Sequence, residues 1–283
     1  MLLVDKPDGP TSHDVVDAVR EVLGVARIGH AGTLDPFASG LLVLLVGRAT
    51  RLVQYLVSLP KTYRGTIRLG VATDTDDRSG TPTATSEDWR SLDDADVAHA
   101  MGALTGSVMQ RPPAFSAKKL DGARAYRLAR QGKAVSLAAR SVQVHRFHLM
   151  RRDGSAVEFE CDVSGGTYVR ALARDLGEGL RCGAHLETLR RTAVGPFQVE
   201  DAVSMDDLPR ATAAHLLPPL AAVSHLPRLD LAPDDRTRVT HGQPLEAPAI
   251  EGAHVALVSD GGLVAVAERA GAVLKPRTVV ADD

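Results

Sequence analysis

The 283-residue chain predicts an α+β protein with a mainly antiparallel sheet flanked by helices and a small β-rich C-terminal module. Three observations predict it. Strand and helix periods intermix without the regular spacing of strand–helix–strand units, which disfavours a parallel sheet. Asp153-Gly154 separates two alternating runs, a strong hairpin signal. A proline-rich stretch (LLPPLAAVSHLP) precedes a second hairpin signal at Asp260-Gly261-Gly262.

Taken in order, residues 2–4 read as a short strand, and Pro7, Gly9 and Pro10 as a rigid loop. Ser12 is placed as the cap of a helix whose apolar face is Val15, Val16, Val19, Val22 and Leu23, with Gly24 as its stop. Residues 29–40 (GHAGTLDPFASG) form a glycine-punctuated loop with neither period, entering a buried strand over 41–46. A helix is expected over 52–59, an alternating strand over 63–69 and a turn-rich loop over 74–80. Asp74, Asp76 and Asp77 could be taken for a calcium loop, but Arg78 interrupts the ligand pattern, so turn capping and solvation are expected. Strands at 141–150 and 155–164 follow, then a helical period over 167–181. The domain boundaries read as 1–216, a linker at 217–227, and 228–283, where runs at 255–258 and 263–266 pair.

Composition narrows the function. With 44% apolar and 24% charged residues the chain buries a sizeable core. Its longest apolar run, 41–46, is far too short for a membrane span, and the N-terminus has no signal-peptide pattern; a cytoplasmic protein is expected. Cys161 and Cys182 give no disulfide framework, and His145 and His148 lack partners for a zinc site, so both pairs read as ordinary interior or strand residues. No P-loop or dinucleotide fingerprint is found. The formal charge of −2 excludes a uniformly basic coat, yet residues 111–152 hold 11 basic residues and one acidic residue, leaving −12 for the remainder. On charge alone that segment is either a phosphate-binding surface or a solvated helix face.

One loop carries candidate chemistry. Asp35 lies between Leu34 and Pro36, and the proline keeps it out of helical geometry, so its carboxylate can project from a loop tip or simply close an Asx turn. GHAGTLDPFASG resembles the catalytic motif of the TruB family of tRNA pseudouridine synthases. KTYRG at 61–65, GTYVR at 166–170, HLETLRR at 185–191 and VDKPDGPTS at 4–12 match the same family in order and approximate spacing. The resemblance implies the pseudouridine synthase fold with a PUA-like C-terminal domain. It implies an isomerase that flips the T-loop uridine of tRNA (U55) and rejoins the base to ribose through C5, with a tRNA-folding activity alongside.

By the same resemblance Asp35 attacks C6 of uracil or C1′ of ribose, Arg170 is its cationic partner, and Tyr63 stacks on the base and assists proton removal. Tyr168 and Leu189 line the uracil pocket; without the resemblance, Leu189 would read as plain helix core and Arg170 as a helix-surface arginine. His30 meets the extruded-base region, while Lys6 and Pro7 give structural support. A thumb insertion is implied at about 107–133, making Lys118, Lys119, Arg124 and Arg127 the expected RNA contacts and Phe115 a wedge. The expected partner is the T-arm of tRNA, with no cofactor, no metal, no guide RNA, no obligatory protein partner and a monomeric state. A non-catalytic RNA-binding protein and an aspartate-dependent phosphohydrolase are the competing readings. The first is disfavoured by the intact Asp35, Tyr63 and Arg170 set, the second by the absence of an Asp-x-Asp pattern.

Overall fold

The computed structural model describes residues 1–113, 119–120, 123–124, 137–210, 213–247 and 249–281. A ten-stranded sheet organises the first 204 residues. Its order across is Val203–Ser204, Leu2–Lys6, Ser39–Val46, Ala184–Val194, Lys61–Leu69, Ala156–Val163, Arg140–Asp153 and Gly106–Gln110, with Ile28–His30 and Phe197–Gln198 attached off this path. Two contacts are parallel, Leu2–Lys6 with Val203–Ser204 and Ser39–Val46 with Ala184–Val194; the others are antiparallel.

The apolar face of Ser12–Leu23 buries Val15, Val16 and Val19 against Leu2, Val4, Leu42 and Leu44. Its cap is Thr11, in a reciprocal capping box with Asp14, and Gly24 closes the helix in the left-handed conformation at φ 63°. Ser12, expected as the cap, is instead the first helical residue and turns its hydroxyl inward. Helices Asp94–Ala103 and Val169–Gly179 share the core around Phe147, Phe159, Ile67 and Leu172.

Two further expectations need correction. The helix expected over 52–59 is present but shorter, Val53–Val57, and is entered from a 3-10 turn, Gly47–Leu52. The stretch around Leu189 is a strand, Ala184–Val194, although Leu186 and Leu189 are spaced like one helix face. A register shift between Leu186 and Thr188 adds a residue, so three-residue spacing returns the chain to the same side of the sheet.

Residues 217–227 are docked rather than extended: Ala222 and Val223 are buried in a core shared by Leu41, Leu52 and Leu56 with Ala256, Leu263 and Val266. Beyond them a five-stranded sheet runs Arg228–Asp230, His254–Ser259, Gly262–Ala270, Val273–Val279, Leu245–Glu246, and Asp260-Gly261 makes the tight turn with φ 51° and 75°. No helix among the described residues is long and apolar enough to cross a membrane.

Candidate active site

The loop carrying Asp35 is irregular in its own backbone, so its course is imposed by side chains from elsewhere. Ser12 Oγ accepts from Leu34 N–H at 2.8 Å and donates to Leu34 C=O at 3.0 Å. The ammonium of Lys6, fully buried, donates to the carbonyls of Pro7, Pro10 and Pro36 at 2.8, 2.7 and 3.2 Å. Gly9 N–H adds a bond to Pro36 C=O at 2.8 Å. From the far side Arg191 donates to Leu41 C=O at 2.7 Å, Gly32 C=O at 3.1 Å and Thr33 C=O at 3.5 Å. Gly40, at φ 101°, would set a β-carbon 2.2 Å from Arg191 C=O, so only glycine lets the loop leave along this strand.

These staples hold Asp35 against Arg170. The guanidinium approaches both carboxylate oxygens, Nε to Oδ2 at 2.9 Å and Nη2 to Oδ1 at 3.3 Å, and Nη1 reaches Asp77 Oδ2 at 3.2 Å and Thr75 C=O at 2.9 Å. Arg170 is only 5% exposed, whereas Asp35 keeps 36% of its side chain open. The acid is reachable and its partner is not. Burial pushes the Asp35 carboxyl above the usual range, Arg170 opposes that shift, and Asp77 adds to it. The arginine restrains a rise rather than producing a low pKa.

Asp35, Tyr63, Tyr168, Arg170 and Leu189 line one cavity of about 240 Å³, joined by Lys61 and Arg191. Five of the six residues expected at the catalytic and base-binding site thus share one cavity. His30 does not line it; it sits on the short strand Ile28–His30, its protonation disfavoured first by burial and then by Arg191 and His13. A second cleft, about 790 Å³, opens onto the same Asp35–Arg170 pair and is walled by Asp8, Phe37, Asp77 and Arg78. Arg78 pairs with Asp8 across it.

The 74–80 loop, expected to be capped and solvated, is so only in part. Asp74 does cap a turn, accepting from Thr81 N–H at 2.8 Å, but Asp76 and Asp77 are buried. Asp76 pairs with Arg174 at 3.0 Å, and burial pushes it up to about 6 against that arginine's pull. Asp77, Arg191, Ser12 and Lys61 are the site residues that the sequence pattern did not single out. Ser12 and Arg191 lay inside motifs, and the Asp76-Asp77 pair inside a turn, which masked their burial. Of the expected RNA contacts, Lys118 and Arg127 lie outside the described residues, as does Phe115. Lys119 and Arg124 pair in a two-residue ladder, Lys119–Leu120 with Ala123–Arg124.

Fold and site together define an enzyme with an aspartate–arginine centre in the cleft of a mixed α+β sheet. Three family models cover nearly the whole chain. These are the TruB family pseudouridylate synthase N-terminal domain over 20–169, the tRNA pseudouridylate synthase B C-terminal domain over 170–221 and the tRNA pseudouridine synthase II C-terminal domain over 226–281. The chain belongs to the TruB family of pseudouridylate synthases.

The tRNA pseudouridine synthase B of Mycobacterium ulcerans is 44% identical over 99% of this chain and 94% of that protein, and the Corynebacterium efficiens protein of the same name is 42% identical over 96% and 92%. Among solved structures, a chain of a Cbf5–Nop10–Gar1 complex superposes with a TM-score of 0.78 at 27% identity, covering 99% of this chain and 84% of that one. A chain of an H/ACA RNP bound to a substrate RNA containing 2′-deoxyuridine gives 0.76 at 25% identity, with the same coverage. The architecture is the pseudouridine synthase fold.

Proposed function

We propose that this chain is a tRNA pseudouridine synthase that converts the T-loop uridine, U55, to pseudouridine. The observation that carries the proposal is the Asp35–Arg170–Asp77 arrangement opening onto a cavity lined by two tyrosines and a leucine. The reaction breaks the N1–C1′ bond, turns the base and forms C5–C1′; a hydrogen leaves C5 and N1 gains one, so atoms balance without a redox partner or phosphoryl donor. Asp35, open to the cavity, supplies the nucleophile, and the same carboxylate serves attack at C6 or at C1′. Arg170 stabilises its ionised form and keeps it aimed. Tyr63 and Tyr168 give faces for the uracil ring, Leu189 closes the apolar side, and the Tyr63 phenol assists loss of the C5 proton.

The substrate is the T-arm of tRNA, bound by a monomer without guide RNA or protein partners. Supporting this, identity to the tRNA pseudouridine synthase B proteins is 42–44%, against 25% and 27% for the matched chains of the H/ACA RNP and of the Cbf5–Nop10–Gar1 complex. Flipping the base costs a few kcal/mol, offset by phosphate contacts from the basic 111–152 segment, including Lys118, Lys119, Arg124 and Arg127. His30 contacts the nucleotides around the extruded base, and residues 228–283 add RNA-binding surface. The working parts are a catalytic unit over 1–216 and this C-terminal module. The test is Asp35→Asn with unmodified tRNA, scored by mapping pseudouridine: formation at position 55 is lost while tRNA binding persists. Wild-type turnover in that variant, or modification elsewhere only, overturns the reading.

A further inference from the structure

Gln110 ends the strand Gly106–Gln110 and is fully buried. Its carboxamide closes on both backbone groups of one residue: Oε1 accepts from Tyr168 N–H at 2.8 Å and Nε2 donates to Tyr168 C=O at 3.0 Å. The side chain thus treats Tyr168 as a neighbouring strand would. Tyr168 is the residue before the helix Val169–Gly179, and its own side chain makes no capping bond there. Its carbonyl also starts that helix, accepting from Ala171 and Leu172 at 3.1 and 3.2 Å. Whatever fixes this backbone therefore fixes the pocket tyrosine and the first turn, which carries Arg170.

The neighbours of Gln110 point the same way. Arg140 stands opposite it in the strand register, places its guanidinium carbon 5.4 Å from the Tyr168 ring centroid and donates to Gly166 C=O. Arg174 donates to Arg111 C=O at 3.0 Å while pairing with Asp76. The chain on either side of the basic insertion is tied to the 166–174 segment at both ends.

We propose that Gln110 is a positioning residue for the reaction, holding Tyr168 and the first helical turn in the geometry that presents Arg170 to Asp35, with Arg140 bracing the tyrosine ring. It touches no reacting atom and acts through Tyr168. The inference rests on the pseudouridine-forming reading. Without Gln110 the half-buried Tyr168 N–H loses its partner and the carbonyl keeps only its two helix-start bonds, so nothing among the described residues ties this backbone to the Gly106–Gln110 strand and the segment shifts. A displacement of about 1 Å at a reacting centre costs up to about a hundredfold in rate.

The experiment compares wild type with Gln110→Met, which keeps length and apolar bulk but removes both bonds. Three quantities are measured: single-turnover pseudouridine formation at saturating tRNA, tRNA affinity, and backbone amide exchange over 166–172. Expected are a rate loss of about tenfold to a hundredfold, affinity within about twofold, and faster exchange over that segment. A rate within about twofold of wild type, or a loss with exchange unchanged, overturns the proposal. Should Gln110→Met fold poorly, Gln110→Glu decides: its neutral form donates and accepts as glutamine does, so its rate relative to wild type rises as pH falls, and a flat ratio overturns the role. A wild-type protein that forms no pseudouridine overturns the functional reading itself; an active wild type with an unaffected Gln110→Met overturns the positioning role alone.

Discussion

Two arginines are buried on the walls of one cavity, and their burial is compensated in different ways. Arg170 meets two carboxylates, Asp35 and Asp77. Arg191, 1% exposed, meets among the described residues only carbonyl oxygens, those of Gly32, Thr33 and Leu41. A buried guanidinium requires compensation either way, because its desolvation is far larger than one neutral hydrogen bond returns. Carboxylate partners bring groups that titrate, so the charge on Asp35 depends on Arg170. Carbonyl partners bring backbone, so the course of the Asp35 loop depends on Arg191. One arginine tunes the reactive group and the other builds the shelf it stands on.

The largest expected effects separate these roles. Arg170→Met should cut turnover by about a hundredfold to a thousandfold, since it removes the cation at the charge-bearing centre. Arg191→Met should leave three carbonyls short of a donor, at about 1–3 kcal/mol for each group that water does not reach. Its main signature is a lowered unfolding midpoint, with turnover recovering as temperature is reduced. Turnover and thermal unfolding measured on both variants check this. Equal losses of turnover, with equal stability, would break the comparison.

That contrast also explains what the sequence disclosed. The period of Val15, Val16 and Val19, the Asp153-Gly154 hairpin and the alternation from Tyr63 to Leu69 are local, and each element formed where its pattern put it. Asp35, Tyr63, Tyr168 and Leu189 lie in four separate motifs that meet only after the sheet is assembled, so their convergence was legible by resemblance and not by spacing. Ser12 reads as a cap and Asp77 as a turn residue because local hydrogen bonding satisfies both types. What makes them different, burial against Leu34 and against Arg170, is a tertiary fact. Arg191 was hidden for the same reason: an arginine in a strand motif carries no sign of which carbonyls will surround it.

A smaller effect sharpens the electrostatic half. Burial raises the Asp35 carboxyl, Arg170 pulls it down and Asp77 raises it. Since the nucleophile is the ionised form, turnover should fall on the acid side with a midpoint above the ordinary aspartate value of about 3.9. Removing Arg170 takes away the opposing pull and should move the limb of the residual activity to higher pH. Arg191→Met should leave it where it is in wild type. pH–rate profiles of the three proteins decide, and a limb that shifts with Arg191 rather than Arg170 reverses the assignment.

The smallest effect lies at Lys61, which lines the cavity beside Arg191 and donates to Val57 and Leu59 carbonyls at 2.5 and 2.7 Å. Burial, followed by the Arg191 charge, pushes its pKa down to about 8. Below that value the ammonium is charged in folded and unfolded chains alike. Between about 8 and the ordinary lysine value of about 10.4 the unfolded chain keeps a proton that the folded chain has released, so stability from this group rises with pH. A neutral amine still has two hydrogens for its two carbonyls, so the bonds survive the titration. Relative to Lys61→Met, wild type should therefore gain about 1–3 kcal/mol in denaturant unfolding across that window. In an Arg191→Met background the gain should shrink, because one of the two causes of the lowered pKa is gone. An undiminished gain there would mean that burial alone sets Lys61 and that the carbonyl-held arginine projects no field into the cavity.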